Sequence, residues 1–186
     1  MGTREQLISA AADLVDVGGP AAVTLREVAA RVGVSHNAPY KHFADKEELL
    51  AAVASRELRR PTEAASPGDA TDPASQLRVR AKAYVRWARR YPERFKLVFG
   101  TWRAAYAELG EAADASRQAL VALMAAAQAE GMAPPGDPER LTALMLALAH
   151  GAADLALGGH LARDGKGAAD PEDLIDDLFD LLKRGA

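Results

Sequence analysis

Apolar residues recur along this chain at helical intervals of three and four, with no turn signal of the kind that joins a β-hairpin, so the pattern predicts helices from end to end. Leu7, Ile8, Ala11, Leu14 and Val15 mark a first helix that stops at Gly18-Gly19-Pro20. Thr24 opens a second, whose apolar face of Leu25, Val28, Ala29 and Val32 is only about two turns long. Thr24 and Glu27 have the spacing of a capping box, in which hydroxyl and carboxylate satisfy two orphan N–H groups reciprocally. Gly33, Val34 and Ser35 then supply a stop, an apolar turn residue and a fresh N-cap, which predicts a tight helix-turn-helix. Asp45 and Glu48 repeat the capping box at the start of a fourth helix.

Farther along, Asp72-Pro73, Asp137-Pro138 and Asp170-Pro171 each place an N-cap acid before a proline at the first helical position, where the missing N–H is harmless and φ is preset. Gly18, Gly33 and Gly131 follow apolar runs and suit left-handed C-terminal stops. The reading is all-α, with about nine helices by these start and stop rules. Residues 61–75, PTEAASPGDATDPAS, interrupt every apolar period and predict a flexible connection between a three-helix module at 1–60 and a helical module at 76–186.

Composition narrows the class. The 186 residues are 49% apolar, yet aromatics supply only 5% and alanine much of the rest, which favours closely packed helices over a β-sandwich. The chain has no cysteine, so disulfide frameworks, thiolate metal sites and cysteine nucleophiles are excluded, and a reducing, cytoplasmic setting is expected. Met-Gly-Thr-Arg-Glu-Gln lacks the basic-then-apolar pattern of a signal peptide. The most apolar run, residues 141–157, carries His150 and Asp154 and is short for a bilayer, so it reads as a buried helix and no membrane partner is expected.

The net charge of −3 argues against nucleic acid until the chain is divided. Residues 1–60 are neutral, 61–75 carry −3, 76–103 carry +8, and 104–186 carry −8. Within the helix-turn-helix, residues 24–46 carry Arg26, Arg31, Lys41 and Lys46 against Glu27 and Asp45, a local excess of +2. The segment after Ser35, namely His36, Asn37, Ala38, Pro39, Tyr40, Lys41, His42 and Phe43, is rich in donors and has no acid. That composition suits a helix entering a major groove, with polar first-turn residues at base edges and Tyr40, Lys41 and His42 on phosphates. Lys46 lies at the positive dipole end of the next helix, unfavourable for the helix alone but suited to a phosphate. His36 and His42, six apart with no partnered carboxylate, make a poor metal site, and no metal or cofactor is expected.

On these residues the chain resembles the TetR family of bacterial transcriptional regulators. TLREVAARVGVSHNAPYKHFADKEELLAAV is similar to the family signature, matching at Thr24, Ala29, Gly33, Val34, Ser35, Tyr40, His42, Phe43, Lys46 and Leu49. Pro39 stands where leucine is more frequent. A proline in the first turn costs at most one backbone bond, so the recognition helix is expected to survive. The resemblance implies a homodimer, a pseudo-palindromic double-stranded operator contacted by Thr24, Arg26, Ser35, His36, Asn37, Tyr40, Lys41, His42 and Lys46, and a C-terminal domain for a small-molecule effector.

Seven of the ten aromatics, Tyr84, Trp87, Tyr91, Phe95, Phe99, Trp102 and Tyr106, follow one helical stripe with a bend at Tyr91-Pro92, surrounded by nine basic residues. The stripe reads either as core beneath a solvated basic face or as one wall of an effector pocket. Tyr84, Trp87, Phe95, Phe99, Trp102, Tyr106, Leu146, His150 and Asp154 are the pocket candidates. RYPERFKLVFG and Ala149-His150-Gly151 resemble elements of one TetR subgroup, with Leu146 where that subgroup carries tryptophan. His150 and Asp154, four apart, suit either a ligand-orienting pair or a satisfied buried pair. A small helical enzyme built on these two residues and an adaptor that has lost DNA binding are the alternatives to the expected repressor. The last two helices are apolar over more than one face, as a four-helix interface between two copies requires, with Leu144, Leu148, Leu155, Leu174, Leu178 and Leu181 as its candidates.

Overall fold

The computed structural model describes residues 2–60 and 71–184. The expected connection at 61–75 therefore lies largely outside the described residues. Eight α-helices account for most of the rest: α1 Thr3–Gly18, α2 Leu25–Val32, α3 Lys46–Arg59, α4 Pro73–Arg90, α5 Pro92–Val98, α6 Ala107–Ala129, α7 Pro138–Leu157 and α8 Pro171–Arg184. Two 3-10 turns, Pro20–Ala22 and Pro39–Lys41, complete the count. Among the described residues there is no strand, only an isolated bridge between Ala162 and Gly167.

The three Asp-Pro pairs do begin helices. Asp72 accepts from the Ser75 N–H at 2.8 Å, Asp137 from Glu139 at 2.9 Å and Asp170 from Glu172 at 2.9 Å. Gly33 and Gly131 terminate α2 and α6 with positive φ of 78° and 67°. At both, the next N–H reaches back to close the helix: Val34 to the Ala29 carbonyl at 3.0 Å and Met132 to Ala127 at 2.8 Å. Gly18 is not a stop. It is the last residue of α1, and Gly19 turns the chain at φ 65°, ψ −171°. That conformation is essentially reserved for glycine. A Cβ at Gly19 would also stand 2.8 Å from a Glu93 carboxylate oxygen, which can swing away, so the backbone strain dominates. Gly19→Ala is expected to cost about 1–3 kcal/mol of stability, read as a lowered denaturant midpoint with an unchanged m-value.

The fold divides into two compact units. The first comprises residues 1–60 together with Tyr91–Ser116. In it α1 packs against α2, α3 and α5. Leu7, Ile8, Ala11, Val15, Val28, Leu49, Val53 and Phe95 fill the core. The second comprises 61–90 and 117–186, of which 71–90 and 117–184 are described. There α4, α7 and α8 pack on one another around Leu77, Ala81, Val85, Met124, Met145, Ala149, Ile175 and Phe179. The units change at 60/61, where the expected connection begins, and again at 90/91 and 116/117, so that α5 belongs with the helix-turn-helix.

The basic face of α4 is also not simply solvated. Arg78 donates to Asp180 at 2.5 Å, Lys82 to Asp176 at 2.7 Å and Arg86 to Glu172 at 2.6 Å, all on α8. Asp176 is therefore a partner of α4.

Candidate functional site

Thr24 caps α2 by accepting from the Glu27 N–H at 3.1 Å, but the reciprocal bond from Glu27 is not formed among the described residues. Leu25, Val28 and Ala29 turn inward, leaving Arg26 and Arg31 exposed. After Gly33 the expected recognition α-helix is replaced by the single 3-10 turn Pro39–Lys41. The reason lies at Pro39. An α-helix continuing from Ser35 needs an N–H at position 39 to reach the Ser35 carbonyl, and proline has none. That carbonyl instead accepts from Ala38 at 2.9 Å, and Lys41 and His42 bond back three residues, to Ala38 at 3.2 Å and Pro39 at 2.9 Å. Ser35 therefore serves the turn through its carbonyl, not through a capping hydroxyl.

The turn is anchored from below. Pro39 is buried, Phe43 is 2% exposed, and the Arg4 guanidinium lies 5.3 Å from the Phe43 ring centroid. Of the residues expected to meet DNA, Thr24, Arg26, Ser35, His36, Asn37, Lys41 and His42 are exposed, Tyr40 is 61% exposed, and Lys46 is half-buried.

The electrostatics of this surface follow from what its acids are doing. Asp45 caps α3 by accepting from Glu48 at 2.9 Å. Glu48 accepts from the Ala44 N–H, one residue before the position a capping box uses. Glu47 is held by both the backbone N–H and the guanidinium of Arg103, which keep its carboxyl below the ordinary carboxylate value. Meanwhile Arg26, Arg31, Lys41 and Lys46 form no ion pair among the described residues. Cations left unpaired beside acids already engaged make a surface that can accept phosphates.

The pocket candidates separate. Tyr84, Trp87, Leu146, His150 and Asp154 lie in the second unit, and Phe95, Phe99, Trp102 and Tyr106 in the first. In the second, the Tyr84 hydroxyl and His150 Nδ1 are 2.8 Å apart, and the Trp87 ring centroid is 6.0 Å from that of Tyr84. Burial pushes the Tyr84 phenol well above its usual range, so it stays a neutral hydroxyl. Leu146 packs beside the core, whereas Asp154 is exposed and has no hydrogen bond or ion pair among the described residues, so it is not part of a satisfied buried pair with His150. Tyr84, 66 positions away, takes the role that spacing alone assigned to Asp154. In the first unit, Trp102 meets Tyr106 edge-on at 5.9 Å and lines a cleft of about 350 Å³ with Lys46, Leu50, Leu97 and Arg103.

One buried charge cluster joins residues far apart in the sequence. Arg94, on α5, is 6% exposed. It grips Asp16 of α1 with two bonds of 2.8 and 2.6 Å and Glu57 of α3 with one of 3.1 Å, while Tyr91 covers its guanidinium at 4.7 Å. Burial opposes its charge, but these carboxylates more than offset that, and its pKa is raised. The available signal was its place in RYPERFKLVFG, between Glu93 and Phe95, with its acids 78 and 37 positions away.

On α7 and α8, Leu144, Leu155 and Leu181 are 65%, 47% and 63% exposed, and Leu148, Leu174 and Leu178 are half-buried. An exposed, donor-bearing turn held against two supporting helices, followed by a wholly helical body, defines a helix-turn-helix transcriptional regulator.

Comparison with known proteins specifies the family. Residues 7–53 match the family of bacterial regulatory proteins of the tetR type, and residues 77–182 match the tetracyclin repressor-like C-terminal domain. The HTH-type transcriptional repressor Rv3405c of Mycobacterium tuberculosis is 43% identical over 47 residues, 25% of either chain, so the match spans about a quarter of that relative. A solved protein of unknown function from Rhodococcus sp. RHA1 superposes with a TM-score of 0.83 at 31% identity, over 100% of this chain and 95% of that one. The FadR regulator of Bacillus subtilis, solved with stearoyl-CoA, shares the fold at a TM-score of 0.70 and 15% identity, over 98% of each chain. The chain belongs to the TetR family.

Proposed function

We propose that this regulator binds a pseudo-palindromic operator as a homodimer and represses transcription until a small-molecule effector binds. The carrying observation is that Ser35, His36, Asn37, Tyr40, Lys41 and His42 are exposed on one turn, and that Lys41, Arg26 and Lys46 form no ion pair among the described residues. In this reading Ser35, His36 and Asn37 reach base edges, and Thr24, Arg26, Tyr40, Lys41, His42 and Lys46 take phosphates. Residues 1–60 carry the reading head with α5 packed in the same unit, and the remaining helices of 76–186 carry effector binding and dimerisation.

The effector wall centres on Tyr84 and His150, a polar handle against the apolar flank of Trp87 and Leu146. A ligand with a hydrogen-bonding group on an apolar body fits this chemistry, and stearoyl-CoA bound to the FadR fold is a parallel of that kind. Phe95, Phe99, Trp102 and Tyr106, which belong to the first unit, and the exposed Asp154 are candidates apart from this wall. The route to the reading head is covalent: α4 passes through Tyr91-Pro92 into α5, which Arg94 ties to α1 and α3. By linkage, operator must weaken effector binding by the factor with which effector weakens operator binding.

Selection of genomic fragments on the purified protein, followed by gel shift, tests the reading. Specific binding is expected for wild type. Lys46→Ala should weaken it uniformly across sequences and reduce the slope of log affinity against log salt by about 1. Tyr40→Ala should weaken it without abolishing helical structure, since Tyr40 is already in water. Failure of the wild-type protein to enrich any fragment would sink the proposal.

A further inference from the structure

The helix α8 presents more apolar surface than its own fold can use. Projected at about 100° per residue, Leu174, Ile175, Leu178, Phe179, Leu181 and Leu182 cover about 160° of its circumference. One edge, Ile175 and Phe179, is buried against α4 and α7, with Ile175 fully enclosed. The other edge ends at Leu181, which is 63% exposed. A rotation of α8 by about one residue would bury Leu174, Leu178 and Leu181 instead, at similar apolar gain. Apolar content therefore does not choose between the two settings.

The charges do choose. Arg78, Lys82 and Arg86 recur every fourth residue on α4, immediately beside the core row Leu77, Ala81 and Val85. Glu172, Asp176 and Asp180 recur every fourth residue on α8, on the side flanking Ile175 and Phe179. The helices run antiparallel, so the rungs pair in reverse order: 78 with 180 at 2.5 Å, 82 with 176 at 2.7 Å, 86 with 172 at 2.6 Å. Arg78 adds a second contact to Asp176 at 3.6 Å and covers the Phe179 ring at 5.6 Å. Pairs this open to water contribute little stability singly, but three in register discriminate between orientations, as flanking charges do in coiled coils.

We propose that this ladder fixes the rotation of α8, assigning Ile175 and Phe179 to the core and leaving Leu174, Leu178 and Leu181 for a second copy of this chain. The assembly half rests on the dimer reading above; the rotation half stands alone. A ladder broken at its central rung lets α8 turn, exposing Ile175 and withdrawing the leucine edge from the interface.

The absence of natural cysteine makes the test direct. An Ile175→Cys reporter is labelled with a thiol reagent in four backgrounds: wild type, Lys82→Glu, Asp176→Lys and the double swap, with sedimentation velocity on each. Each single reversal should speed labelling by about tenfold or more and weaken self-association, and the swap should return both to within about threefold of wild type. Slow labelling throughout overturns the ladder. A wild-type protein that remains monomeric while labelling follows the ladder overturns the dimer reading and the assembly half. If a reversal loses its helical circular dichroism, Lys82→Gln removes the rung without reversing it and should shift labelling in the same direction; unchanged labelling there overturns the ladder equally.

Discussion

Replacing Arg94 with methionine is expected to lower the free energy of unfolding by about 3 kcal/mol, the low end of the cost of removing one partner of a buried ion pair. The low end applies because the neighbours are not left wholly alone. Glu57, whose side chain is 0% exposed, keeps Arg56 at 3.6 Å and Arg60 at 3.4 Å, and Asp16 is 30% exposed and can take up water. Against a typical total of about 5–15 kcal/mol, such a loss is large. Arg94→Lys should fall between wild type and Arg94→Met, since an ammonium keeps the charge but not the two-pronged grip on Asp16. Urea unfolding of the three proteins measures this order. A loss below about 1 kcal/mol for Arg94→Met would show that the cluster behaves as a surface network.

The second large effect is expected at the apolar faces of α7 and α8. Leu144→Glu or Leu181→Glu should leave the protomer folded, because both side chains are already in water. In a twofold interface each substitution is buried twice, so the dimer is expected to dissociate to a 19.7 kDa species at micromolar concentration. Operator affinity should then fall by a factor on the order of 10²–10⁴, the advantage lost when two half-site contacts cease to be one event. Sedimentation velocity and gel shift read the two effects separately. Retention of the wild-type dimer would place the interface elsewhere.

How much of this was legible in the sequence depended on how far apart the deciding groups lie. The three Asp-Pro helix starts, the Gly33 stop and the Thr24 cap rest on partners within a few residues, and these were readable. The reading-head candidates rest on equally local evidence, a short run of donors without acids, and the structure leaves Ser35, His36, Asn37, Tyr40, Lys41 and His42 exposed. At Pro39 one missing N–H, in the eight positions from Ser35 to Phe43, is enough to leave a 3-10 turn. The aromatic stripe was a correct periodicity with an incomplete meaning, since the Tyr91-Pro92 break sends its two ends into different units.

The sequence by itself determined the all-α class, most helix boundaries and the family, because backbone hydrogen bonding, capping and apolar period act over three or four residues. Only the tertiary structure decided that His150 meets Tyr84 rather than Asp154 and that Arg94 is a buried clamp rather than one of nine cations on a basic face. It also decided that α5 belongs with the helix-turn-helix. Those pairings join residues 37 to 78 positions apart, and charge complementarity alone does not select among the many acids and bases this chain offers. Burial selects: a guanidinium or phenol removed from water must find its partner at hydrogen-bonding distance, and which partner is there depends on how the helices pack.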